Sequence, residues 1–212
     1  MTATGMTRPD ATRPMDGDGA GVSLDRSVTG GPASVWEGAT IRLRPVVADD
    51  WPAFAAWDQE DETSRASYQI DFPRSAEATR TWVEEAATRE YRGDRFRWVI
   101  ARHDGTAAGT INTHTCDARN GTFSFGLAIG QDHRGHGYAS QAIRLVLRFY
   151  FEELRYQKVT VHVYGWNTAS QRLHERLGFQ VEGRLRRMTF SHGDHHDTLV
   201  YGLTADEFAA GA

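Results

Sequence analysis

The loop Arg134-Gly135-His136-Gly137-Tyr138-Ala139-Ser140 separates an alternating apolar segment, Phe123 to Ile129, from a long amphipathic one. Strand, glycine turn and helix in that order build an anion site. The first N–H groups of a helix have no acceptor within it, and the helix dipole is positive at that end. Gly135 and Gly137 let the backbone come close to the anion, and Arg134 adds a positive charge. Ser140 stands where a dinucleotide fingerprint needs its third glycine, and no Gly-Lys-Ser/Thr follows, so neither that pattern nor a phosphate-binding P-loop is met. Chain reversal alone also accounts for a Gly-x-Gly at a turn.

Other reactive side chains are less well placed. His192, His195 and His196 with Asp194 and Asp197 have the chemistry of metal ligands. They crowd one hairpin turn, whereas a catalytic zinc site needs three ligands in fixed geometry, so a solvated turn is expected and no metal is assigned. The acidic run Asp58, Glu60, Asp61, Glu62 reads as a solvated helix end in a loop between helices. If it lines a groove, it would attract a cationic amine. Trp51, Trp57 and Trp82 read as core of a helical layer rather than as a stacking platform.

The elements that must hold these residues follow from periodicity. Ile41 to Arg44 alternates and stops at Pro45, as a strand would. A helix capped by Asp49 or Asp50 carries Trp51, Phe54, Ala55 and Trp57 inward, and a second, capped by Ser75, spans Ala76 to Tyr91 with Trp82, Ala86 and Tyr91 on one side. Phe96 to Arg102 and Gly109 to Thr115 pair across Asp104-Gly105. Along Phe123 to Ile129 the alternate positions Ser124, Gly126, Ala128 are small, which lets a backbone or ligand approach. The amphipathic run after the glycine loop extends to about Leu154, with Ala142, Val146, Phe149 and Tyr150 on one face. Val159 to Val163 is a strand, and Asn167 and Ser170 introduce a helix through Leu177 that ends at Gly178. Val181 to Phe190 and Thr198 to Leu203 flank His192-Gly193-Asp194. The order is mixed α/β, with helices interrupting a mostly antiparallel sheet.

Composition bounds the rest. The chain has 212 residues, 40% apolar, with a formal charge of -4, enough for one sizeable core. Residues 1–35 hold three of the six prolines and six glycines, with no apolar period, and read as a disordered leader; residues 36–212 read as one domain. No long uncharged apolar run and no signal-peptide core occur, so a cytoplasmic protein without a membrane partner is expected. Cys116, the one cysteine, excludes an intrachain disulfide. Lys+Arg 24 against Asp+Glu 28 leaves no basic excess for nucleic acid.

Three blocks together resemble the GNAT (GCN5-related N-acetyltransferase) family. Arg134 to Ala139 is similar to its acyl-coenzyme A pyrophosphate loop, R-x-x-G-x-A. Asn167 to Phe179 is similar to its N-x-x-S helix ending in G-F. Glu182 to Arg186 with Gly193 and Asp197 resembles the RimJ/RimL-type branch, which acetylates protein N-termini and other primary amines. The likeness runs from about Ile41 to Phe208 and implies a sheet of about six or seven strands with helices on both faces.

The resemblance also implies a site. Backbone groups at Leu127, Ala128 and Ile129 would pair with the pantetheine amides of acetyl-CoA, those of Gly135, His136, Gly137, Tyr138, Ala139 and Ser140 would hold its pyrophosphate, and Arg134 would add its charge. Asn167 and Ser170 would lie beside the pantetheine and thioester, although they also suit a simple helix cap. A neutral amine would attack the thioester, a backbone N–H would stabilise the oxyanion, and an acid would protonate the departing thiolate. Relatives often use a tyrosine as that acid where this chain has His174; Ser170 is the competitor, and packing beside Leu173 and Leu177 is the alternative for the histidine. Ser124 and Thr189 stand where relatives often carry a glutamate base, which leaves His114, Asp61, Glu62 or a chain of waters. The acceptor could be a protein N-terminus, a polyamine, an aminoglycoside or a small metabolite, and a monomer or homodimer is expected. A non-catalytic acyl-CoA sensor and a different nucleotide binder are the rival readings.

Overall fold

The computed structural model describes residues 34–67, 70–91 and 93–211, all within the compact unit Pro32–Ala212. The leader expected over residues 1–35 lies, for residues 1–33, outside the described residues. Seven strands form one sheet in the order β1-β2-β3-β4-β5-β7-β6. They are β1 (Ile41–Pro45), β2 (Arg97–Arg102), β3 (Ala107–Asp117), β4 (Thr122–Ile129), β5 (Lys158–Tyr164), β6 (Gln180–Ser191) and β7 (Asp194–Thr204). Every pairing is antiparallel except β4 with β5.

Period-two alternation divides the side chains between two faces. Trp98, Ile100, Ile111, Phe123 and Phe125 pack with Ala142, Ile143 and Val146 of α4 (Tyr138–Arg148) into the larger core, which also takes Leu177 and Phe179 just beyond α5 (Thr168–Arg176). Val99 and Ala101 point the other way and join Phe54 and Trp57 of α1 (Trp51–Asp58) with Val83 and Ala86 of α3 (Ala76–Thr88) in a smaller core. Helices therefore cover both faces, as expected. A short α6 (Ala205–Ala210) follows β7, capped by Thr204 and Glu207.

Several elements differ from the sequence reading. The acidic stretch contains a helix, α2 (Asp61–Ser67), whose Asp61 and Glu62 occupy its first turn, where carboxylates suit the helix dipole. α3 stops at Thr88, with Arg89 extended, so Tyr91 is not on its face; that ring packs against Phe96, tilted by 34°, with centroids 4.4 Å apart. The long amphipathic run is α-helical only to Arg148, and Phe149–Glu153 is a π-helical turn. It lets the Tyr150 hydroxyl reach Asp94 and Thr113. β7 begins at Asp194, so His195, His196 and Asp197 are strand residues rather than turn.

One buried ion pair fixes the start of α1. Asp50, 6% exposed, accepts from Arg44 at 2.6 and 2.8 Å and from the Val47 N–H at 2.9 Å. Strand β1 is thereby tied to the helix that walls the cavity described below. Asp50→Ala leaves the Arg44 guanidinium without its partner and is expected to destabilise by about 3 kcal/mol or more. Denaturant unfolding checks this, and a loss below about 1 kcal/mol would contradict the tie.

Candidate functional site

β4 pairs with β3 through Ile129, but with β5 only at Thr122 and Phe123. Beyond Phe123 its second edge faces no strand. The Gly130 N–H donates to the Ala108 carbonyl at 3.0 Å, and a β-carbon at Gly109 would overlap the Ala128 carbonyl, so both residues turn their backbone towards β3. By strand alternation the backbone groups of Leu127 and Ile129 turn to the open edge. An extended ligand carrying amides can add there as a strand would. Ala128, grouped with them in the sequence reading, instead turns its carbonyl to β3 and its methyl to the opposite face.

The glycine loop opens beside that edge. Gly135 and Gly137 have φ of 79° and 76°, the left-handed region that favours glycine. Nothing lies within 4 Å of a β-carbon built at Gly135, and at Gly137 only Ser140 Oγ, at 4.0 Å. Gly137 is the N-cap of α4, so the N–H groups of Tyr138, Ala139 and Ser140 are the first three of that helix and have no acceptor inside it. The Ser140 hydroxyl donates to the Gly137 carbonyl at 2.9 Å, and the His136 and Tyr138 rings stack with centroids 5.4 Å apart. Arg134 reaches away from the helix start, to Thr63 Oγ1 at 2.5 Å, the Ile129 carbonyl at 3.3 Å and Glu62 at 3.6 Å.

The third piece is the start of α5. Asn167 Oδ1 accepts from the Ser170 N–H at 3.0 Å, an observed helix cap. His174 is only 4% exposed, packed against Phe125, Phe179 and Tyr201. Its Nδ1 lies 2.8 Å from the Ser170 carbonyl and 3.3 Å from Ser170 Oγ. A carbonyl only accepts, so Nδ1 carries the proton and Nε2 is a lone pair that has no partner among the described residues. Burial pulls the His174 pKa down, and the bond to Ser170 opposes this. A neutral imidazole whose one proton is held by a carbonyl has none to give. The half-buried Ser170 keeps its own hydroxyl proton free for donation.

On the opposite face, α1, α2 and α3 enclose a cavity of about 550 Å³ over the sheet, lined by Phe54, Trp57, Trp82, Arg97, Thr110 and Ala128 among others. Asp61 also lines it, whereas Glu62 turns to Arg134. Trp57 is buried as core, but Trp82 is half-buried beneath the Arg74 and Arg97 guanidinium groups. Sequence reasoning passed over Arg97, although its alternation with Val99 and Ala101 puts it on the inward face of β2. His114 lies four residues along β3 from Thr110, about 13 Å away, outside the cavity lining. Burial first, then His162 and Arg95, lower its pKa. Ser124 is buried, and Thr189 bonds Thr198 at 3.0 Å.

The histidine-rich hairpin has protein partners. Arg65 meets His192 at 2.7 Å, His196 meets the Ser191 carbonyl at 3.0 Å, and Asp197 accepts from Arg184 and from the Arg187 N–H at 2.8 Å. Among the described residues no three His, Cys, Asp or Glu side chains converge as metal ligands. No helix among them is long and apolar enough to cross a membrane.

The chain resembles known proteins in sequence and fold. The model of the Acetyltransferase (GNAT) domain family matches residues 40–180. The SPbeta prophage-derived uncharacterized N-acetyltransferase YokL of Bacillus subtilis is 42% identical, covering 82% of this chain and 94% of that protein. The ribosomal-protein-serine acetyltransferase of Escherichia coli is 25% identical over 64% of this chain and 75% of its own length. The structure of spermidine N-acetyltransferase from Vibrio cholerae in complex with CoA and spermine superposes with a TM-score of 0.70 at 18% identity, covering 81% of this chain and 99% of that one.

The His174 environment has a measurable consequence. A histidine whose folded pKa lies below its unfolded value binds fewer protons when folded, so stability falls as pH drops through the unfolded value near 6.5. His174→Phe removes this dependence, and its stability curve is expected to be flatter between about pH 7 and 5, where one such group contributes a slope of up to about 1.4 kcal/mol per pH unit. Denaturant midpoints across that range decide it; parallel curves would contradict the tautomer and burial described.

Proposed function

Because the chain belongs to the GNAT acetyltransferase family, we propose that it transfers the acetyl group of acetyl-CoA to a primary amine by direct attack through a tetrahedral intermediate. The observation that carries this reading is the open edge of β4 ending beside the left-handed glycines and the start of α4. Leu127 and Ile129 offer amide-pairing groups to an extended pantetheine arm. The N–H groups of Tyr138, Ala139 and Ser140 hold the pyrophosphate in the space over Gly135, His136 and Gly137, and Arg134 turns from Thr63 to meet it. Asn167 caps α5 and keeps Ser170 beside the thioester.

A neutral amine nitrogen attacks the thioester carbon, and the Leu127 N–H stabilises the oxygen that becomes negative. The carbon–sulfur bond then breaks, the Ser170 hydroxyl protonates the leaving thiolate, and the nitrogen, cationic since its attack, gives its second proton back to the Ser170 oxygen. His114, on the same face of the sheet as Thr110 but outside the cavity, takes the ammonium proton through a chain of waters. His174 acts through Ser170, whose carbonyl it binds, and is a positioning residue. The likeness to the ribosomal-protein-serine enzyme supports a RimJ/RimL-type assignment; the acceptor in this reading is a protein N-terminus or a small-molecule amine, and the compartment the cytoplasm.

Calorimetric titration tests the donor site. The wild type is expected to bind acetyl-CoA at micromolar concentration and to ignore NAD and ATP, and Gly137→Trp is expected to weaken acetyl-CoA binding by at least about 100-fold, or ~2.7 kcal/mol. Circular dichroism checks that the strain of a side chain at positive φ leaves the fold intact. Unchanged binding by the variant, or equal binding of NAD, contradicts the placement.

The proton roles separate in kinetics. Ser170→Ala is expected to lower kcat on the order of 100-fold with little change in the Michaelis constant for acetyl-CoA. A base histidine works only when neutral, so kcat/KM should fall as pH drops below the His114 pKa, itself below 6.5. His114→Ala should lose that acid limb. A limb that persists in His114→Ala removes His114 from the mechanism.

A further inference from the structure

The cavity beneath α1 and α3 is lined by Asp58, Asp61 and Asp71 and by two arginines, of which Arg97 is in no ion pair among the described residues. Arg97 projects from β2 into it, with Nη1 3.4 Å from Thr110 Oγ1 and the guanidinium 5.6 Å from the Trp82 ring centroid. Among the described residues no carboxylate comes within ion-pair distance of it. Its neighbours differ. Arg74, also over Trp82, is neutralised by Asp58 at 2.7 Å, and that carboxylate accepts from Thr79 as well. Asp61 faces Arg65 at 3.9 Å. Burial lowers the Arg97 pKa, the mark of a cation withdrawn from water without a counter-charge.

We propose that Arg97 binds an anionic group of the acceptor, and hence that the acceptor is a small amine carrying a carboxylate or related oxyanion. This rests on the acetyl-transfer reading above. A guanidinium presents five N–H donors in a planar fork that suits an oxyanion, and the Trp82 ring holds that plane in place. Thr110, which Arg97 touches, lies directly opposite Ala128 on β4. Thr110 is therefore one strand spacing, about 4.8 Å, from β4, and the Leu127 N–H at which the thioester is attacked opens from the far edge of that strand. One small molecule carrying both an amine and an oxyanion spans that distance, with its apolar part against Phe54, Trp57 and Trp82. A polyamine would leave Arg97 unpaired and bring a second cation towards it.

The test uses the full chain, steady-state kinetics, and a panel of free amino acids, their amides and spermidine. The wild type is expected to use at least one amino acid tenfold or more better than its amide. In Arg97→Gln that carboxylate preference should fall at least tenfold, and in Arg97→Lys by less; comparing the same pair in each enzyme cancels their different amine basicities. Calorimetry with the N-acetyl derivative of the preferred amino acid needs no turnover and should show the same loss in Arg97→Gln. If that variant does not fold, the wild type alone decides, because it should bind this N-acetyl derivative at least tenfold more tightly than the N-acetyl amide. Preference for spermidine or amides, an unchanged ratio in Arg97→Gln, or equal binding of N-acetyl acid and N-acetyl amide overturns the proposal. Acetyl-CoA binding with acetylation of spermidine but of no amino acid refutes the anion site alone. Arg97-dependent binding of the N-acetyl acid with no heat from acetyl-CoA refutes the transfer reading and leaves the anion site standing.

Discussion

The separation of β4 from β5 after two paired residues is the constraint on which the rest depends. Two parallel strands that part leave backbone donors and acceptors open to solvent, which a folded chain tolerates only at an exposed or functional edge. Side chains fill one face beneath the parting: His174 and Phe179 pack on Phe125, and Tyr201 of β7 closes behind them. β5 meanwhile is held along its whole length by β7. The gap is therefore braced from both sides, and the buried imidazole with its unpaired Nε2 belongs to that bracing.

The glycine-loop side and the cavity side of the sheet are linked through the segment Glu60 to Thr63. Glu60 accepts from the Gln131 N–H at 2.9 Å and from Thr63, and Thr63 in turn holds Arg134 at 2.5 Å. The segment that walls the cavity thus touches the turn that leads into the glycine loop. Gly130 adds a steric tie, because a β-carbon there would collide with the Trp57 indole. An anion that draws Arg134 from Thr63 would loosen one of these contacts and leave the other.

Much of this was legible in the chain. The strands with clean alternation, Phe123 to Ile129 and Val159 to Val163, lie within the observed β4 and β5, and the glycine loop stands before α4 as its spacing requires. α2 escaped because Asp61 to Ser67 has no apolar period; the helix is placed by its packing against β4 and α1, which sequence does not display. α3 ends three residues short of Tyr91, which at 100° per residue lies opposite Trp82 and whose ring is taken by Phe96. The resemblance singled out His174 as a proton donor, and only tertiary burial shows that its proton faces a carbonyl. Arg97 and Trp82 are distant in sequence, so the approach of the cation to the indole became visible only in three dimensions.

Hydrogen exchange of the backbone amides, with and without saturating acetyl-CoA, tests the central claim most directly. The open edge and the loop predict new protection confined to Leu127 and Ile129 and to Gly135 through Ser140, because those N–H groups gain acceptors only from the ligand. ATP at the same concentration should leave them unprotected. Protection elsewhere, or none at these amides when acetyl-CoA is bound, would contradict the account.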